Sequence, residues 1–79
     1  MLLEQISMFS RIAKEQSISK AAQAIHISQP ALSQQMQRLE EELGVKLFER
    51  SNRGIILTRA GEVLQKYSEQ FLETYSNLN

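Results

Sequence analysis

The sequence predicts a mainly α fold: three helices and a small β-hairpin, followed by a long C-terminal helix. Three observations lead there. Apolar residues recur at helical spacing over most of the chain. Proline and glycine are scarce, at 1 and 3 of 79 residues, so few positions break a helix. After Gly44 the period changes, and β-branched residues flank a tight turn before the helical pattern resumes at Thr58.

The first helix runs from Leu2 to Gln16, with Leu2, Ile6, Phe9 and Ala13 on one stripe and Ile12 at its flank. Glu4 in its first turn and Lys14 near its end complement the helix dipole. Ser17-Ile18-Ser19 breaks the pattern, and Ser19 is placed to cap a short second helix over Lys20 to Ile25. The alanines of that helix let a neighbour approach closely. His26-Ile27-Ser28 makes the next turn, where His26 reads as a turn or packing residue. Ser28 caps the third helix, and Pro30 falls in its first turn, where the missing N–H costs no hydrogen bond.

In the third helix Leu32, Met36, Leu39 and Leu43 form the inner stripe, while Pro30, Gln34, Gln37, Arg38 and Glu41 face water. Gly44 is suited to close it. Leu47 to Ser51 and Ile55 to Leu57 are two short strands around Asn52-Arg53-Gly54. Thr58 caps the fourth helix, along which Ala60, Leu64, Tyr67, Phe71, Tyr75 and Leu78 form a continuous stripe. Residues 1–58 therefore form one winged helix-turn-helix domain, with its recognition helix over about 28–43 and its wing over about 47–57. Residues 59–79 form a linker and dimerisation helix.

Composition narrows the function. One histidine, no cysteine and a glutamate cluster read as solvated supply no nucleophile–base pair and no metal set. The expectation is a domain that is not an enzyme and holds no cofactor. No basic n-region precedes an apolar run, and no stretch nears eighteen apolar residues, so neither a signal peptide nor a membrane span is expected. The absence of cysteine fits a reducing cytoplasm.

Formal net charge is zero, but the charges are unevenly spread. Between Glu15 and Glu40 there is no carboxylate, while Lys20 and Arg38 are cationic. Between Glu49 and Glu62 stand Arg50, Arg53 and Arg59, again without an acid. If these segments share a face, that face attracts phosphate although the molecule is neutral.

A helix fits the major groove of B-form DNA and presents its N-terminal side chains to base edges. Gln29 is the leading base reader, because an amide donates and accepts together, as adenine N6 and N7 require. Ser33 and Gln34 follow one turn later, and Arg53 at the hairpin tip is suited to the minor groove. Ser28, Gln37, Arg38 and Lys20 complete the candidate DNA-facing set. The glutamines would otherwise be a solvated face of good helix formers.

Ser17-Ile18-Ser19-Lys20-Ala21-Ala22, Ile27 to Ser33, Leu39-Glu40 and Leu43-Gly44 together resemble the signature of LysR-type transcriptional regulators. Leu47-Phe48-Glu49-Arg50 and Leu57-Thr58-Arg59-Ala60-Gly61 extend the likeness over nearly the whole chain. The resemblance implies a bacterial regulator whose effector-binding domain lies outside these residues. It also implies dimers of dimers that bind imperfect palindromes. By motif position, Gln29, Pro30 and Ser33 match the family's major-groove contacts, and Arg53 its wing contact. Arg50 and Thr58 lie where backbone phosphates are met. Many members carry arginine at the position of Gln34, so the resemblance is weakest there.

A fourth helix of about twenty residues extends roughly 30 Å, more than so small a domain covers. Leu64, Tyr67, Phe71, Tyr75 and Leu78 would then pair with a second copy. Folding back on its own domain is the alternative for this helix. For the chain as a whole, the alternative is a helical protein–protein module of winged shape that binds no DNA, which the neutral charge would suit.

Overall fold

The computed structural model describes residues 2–78. Its elements are α1 (Leu2–Glu15), α2 (Ile18–Ala24), α3 (Gln29–Leu43), β1 (Phe48–Ser51), β2 (Gly54–Leu57) and α4 (Arg59–Asn77). The first three helices pack on one another around Phe9, Ile12, Ile18, Leu32, Met36 and Leu39, with Leu47 and Phe48 closing the core. Ala21 and Ala22 are buried where α2 meets its neighbours, so their short side chains set the close approach. Leu2 and Leu43, at the ends of their stripes, lie beyond the core and are exposed.

The start of α2 differs from the sequence expectation. Ser17, and not Ser19, is the N-cap, its Oγ accepting the Lys20 N–H at 3.2 Å. Beginning the helix two residues earlier carries Ile18 into the core, and that burial selects between two serines of equal capping ability. Ser28 and Thr58 cap α3 and α4 as expected, accepting the N–H groups of Ala31 at 3.2 Å and Gly61 at 3.1 Å. Pro30 sits in the first turn of α3, and Gly44 ends that helix in the left-handed region at φ +75°.

The hairpin pairs Phe48 with Leu57 and Ser51 with Gly54, leaving Asn52 and Arg53 as its two-residue turn. It is fastened at both ends. Near the tip, the Ile55 N–H donates to the Gln16 carbonyl at 3.2 Å. Gly54 lies against that same carbonyl at φ +120°, where a Cβ would overlap the oxygen. At the base, the Thr58 N–H donates to the Leu47 carbonyl at 3.0 Å and the Thr58 hydroxyl to the Lys46 carbonyl at 2.6 Å. Gly61 also packs on the Leu47 carbonyl, again without room for a Cβ.

α4 rests on α1, and its buried residues are Gly61 and Ser68. Its apolar stripe divides as a result. Ala60 and Leu64 pack against the domain's own core, whereas Tyr67, Phe71, Tyr75 and Leu78 stay exposed, joined by Val63. The expectation that Leu64 belongs with the free stripe is corrected by this packing.

The glutamate cluster is not uniformly solvated either. Glu41 and Glu42 are exposed, but Glu40 turns inward. Its Oε2 accepts the Leu47 N–H at 2.7 Å, and its Oε1 lies 3.9 Å from Lys46 Nζ. It thereby provides the acceptor that a backbone donor just ahead of β1 does not find in a two-stranded ladder. Among the described residues, no helix is long and apolar enough to cross a membrane.

Candidate nucleic-acid interface

The start of α3 protrudes because its core anchor begins only at Leu32. Ser28, Gln29, Pro30 and Ala31 are exposed ahead of that fully buried leucine. In helical projection Gln29 lies on the apolar side, but nothing covers the first turn, so its amide reaches water. Gln34 is exposed one turn further on, and Ser33 is half-buried.

Two side-chain contacts hold this surface. From the first turn of α2, the Ser19 hydroxyl donates to Gln29 Oε1 at 2.8 Å. From the wing, Arg50 Nη2 donates to Ser33 Oγ at 2.7 Å. Ser17, Ser19, Gln29, Arg50, Ser51 and Gly54 consequently line one cleft between α2, α3 and the hairpin, and among the described residues no carboxylate lines it. The two acid-free segments of the sequence therefore meet. On the other side of Arg50, Glu40, Lys46 and Glu49 border a second cleft with Ser33 and Gln37. Arg50 thus marks the edge of the acid-free surface.

The remaining candidates are less tightly grouped. Arg53 is exposed at the hairpin tip, where its N–H donates to Ser51 Oγ at 3.2 Å. Lys20 is exposed beside Ser19, and Gln37 and Arg38 are exposed further along α3. Thr58 is half-buried, and its hydroxyl is engaged twice, by Lys46 O and the Gly61 N–H. Among the described residues, no group of three or more His, Cys, Asp and Glu is placed to hold a metal ion.

Sequence reasoning missed Ser19 as a neighbour of Gln29, because it treated that serine as a helix cap. The ten-residue separation carries no signal of contact; only the turn between α2 and α3 brings the two first turns together. Lys46 was also missed. Its ammonium is exposed at the rim of the second cleft, although it lies within reach of Glu40.

Residues 3–62 match the model of the bacterial regulatory helix-turn-helix proteins of the lysR family. Over 70 residues the chain is 49% identical to a probable RuBisCO transcriptional regulator of Cyanidioschyzon merolae, covering 89% of this chain and 23% of that protein. It is 42% identical over 76 residues to the HTH-type transcriptional activator IlvY of Salmonella typhimurium, covering 96% of this chain and 26% of that one. The chain thus spans about a quarter of the length of these curated relatives.

Solved structures agree. The BenM DBD, in complex with catB site 1 DNA, superposes with a TM-score of 0.93 at 38% identity, covering 99% of this chain and 88% of that one. The CbnR DBD in complex with DNA gives 0.90 at 40% identity, covering 98% and 88% respectively.

Proposed function

Since the chain belongs to the lysR family of bacterial regulatory helix-turn-helix proteins and is a DNA-binding domain of a transcription regulator, we propose that it inserts the start of α3 into the major groove and turns the β1–β2 wing toward the minor groove. The observation that carries this reading is the acid-free cleft in which Gln29 and Arg50 meet. Gln29 faces a base edge, with adenine the partner its amide suits, and Pro30, Ser33 and Gln34 lie on the same groove-facing surface. Arg53 enters the adjacent minor groove, while Arg50, Lys20 and Arg38 meet backbone phosphates. Ser28 and Gln37 border these contacts.

In this reading residues 1–58 are the DNA-binding unit, and the helix beyond them pairs with a second copy. The exposed row Tyr67, Phe71, Tyr75 and Leu78 supports that role. Two paired copies address the halves of an imperfect palindrome whose recognition helices stand about 34–36 Å apart, or a multiple of that spacing. A tetramer, a small-molecule effector held elsewhere in a longer protein, and a cytoplasmic site of action belong to the same proposal.

Selection of bound sequences from a random duplex pool, followed by salt titration on the winners, tests it. The expected result is a palindromic site for which the logarithm of affinity falls linearly with log salt. Recovery of unrelated sequences, or binding indifferent to salt, would overturn the proposed readout.

A further inference from the structure

We propose that Ser19 is a positioning residue for base readout, fixing the amide of Gln29 in one orientation before DNA is met. The proposal rests on Gln29 as a base reader. Its observation is the 2.8 Å hydrogen bond in which the Ser19 hydroxyl donates to Gln29 Oε1.

Ser19 is free for this task. Ser17 caps α2, and Ser19 is exposed, with Gln29 Oε1 as the partner of its hydroxyl. Gln29, by contrast, needs an orienting contact. A surface glutamine has three side-chain torsions, and its terminal amide presents oxygen and NH2 in either order. A base edge distinguishes those orders. Adenine in the major groove offers a donor at N6 beside an acceptor at N7, so a bidentate partner must present its oxygen and its NH2 in the matching sequence.

Ser19 holds the oxygen on the side toward α2. A carbonyl oxygen accepts two hydrogen bonds, so one lone pair and both Nε2 hydrogens remain for DNA. The amide therefore meets the groove with its acceptor on the α2 side and its donor on the other. This order selects the strand on which adenine is read as well as the base itself. Without the serine hydroxyl the two orders compete, and the preference weakens even though every atom that touches DNA is still present.

The test uses the whole chain and the duplex recovered from the random pool, with Ser19→Ala, Ser19→Thr, Gln29→Ala and the Ser19→Ala/Gln29→Ala double variant. Thermal unfolding, affinity for random duplex, and affinity for duplexes substituted at each base pair are measured. Ser19→Ala is expected to leave melting and random-duplex affinity unchanged. It should reduce discrimination by about 3- to 10-fold at the same base pair that Gln29→Ala affects. Ser19→Thr, which keeps the hydroxyl, restores discrimination, and the double variant behaves as Gln29→Ala alone.

Full discrimination in Ser19→Ala, equal loss on cognate and random duplex, or additive losses in the double variant would each overturn the positioning role while leaving Gln29 as a reader. If Gln29→Ala itself leaves discrimination intact, the reading of Gln29 falls, and the role of Ser19 with it.

Discussion

In the proposed complex Gln29 and Arg53 make different demands on DNA, and replacing each would expose the difference. Gln29→Ala removes a bidentate partner from a base edge. The expected loss is about 1–3 kcal/mol at the cognate site, with preference relaxed at one base pair, as competition against single-substituted duplexes would reveal. Equal weakening on every sequence would remove it from the reading set. Arg53→Ala instead removes one cation from the wing tip. Affinity should drop across all sequences, and the slope of log affinity against log salt should flatten by about one unit. At this scale the sequence was informative about exposure: Ser28 as a cap and Pro30 in the first turn place Gln29 and Gln34 on the protruding start of α3. It was uninformative about partners. Ser19 with Gln29 and Arg50 with Ser33 are contacts across elements, set by how three helices and a hairpin pack, and no local period encodes them.

Among the elements, helix ends and the wing carry the sharpest expectations. Ser17→Ala deletes the α2 cap and should cost about 1 kcal/mol in chemical denaturation, whereas Ser19→Ala should cost almost nothing. A reversed ranking would return the cap to Ser19. Gly61 offers a test of opposite sign to the usual one. Alanine is ordinarily favoured over glycine in a helix by about 1 kcal/mol. Here a Cβ would collide with the Leu47 carbonyl, a backbone atom that cannot swing aside, so Gly61→Ala should destabilise the domain. A melting temperature at or above that of the parent would show that α4 and the wing base are less closely joined than described. All six elements were recognisable from spacing and turn residues. The start of α2 was not, because burial of Ile18 decides it, and burial is a property of the assembled core; the division of the α4 stripe at Leu64 depends on that same core.

For the molecule as a whole, the balanced charge and the divided α4 stripe matter most. In a neutral chain the face where the acid-free segments converge is the one suited to draw phosphate, so in the proposed complex binding depends on orientation from the first encounter. On the opposite account stands the row from Tyr67 to Leu78, in which Phe71 and Tyr75 stack with ring centroids 6.3 Å apart. Replacing Tyr67 and Phe71 together by glutamate should convert the proposed dimer to a monomer in sedimentation and weaken binding to a full palindrome far more than to a half-site. A protein that sediments identically before and after would place its partner surface elsewhere. The bonds of Thr58 and the packing of Gly61 join the wing base to α4 without slack, which makes that helix a stiff lever about 28 Å long. A tilt of only about 10° at its root sweeps the far end through about 5 Å, more than the roughly 3.4 Å between neighbouring base pairs. In the proposed dimer, small rotations between two such levers would suffice to change which spacing of half-sites the pair straddles, with no deformation inside either head.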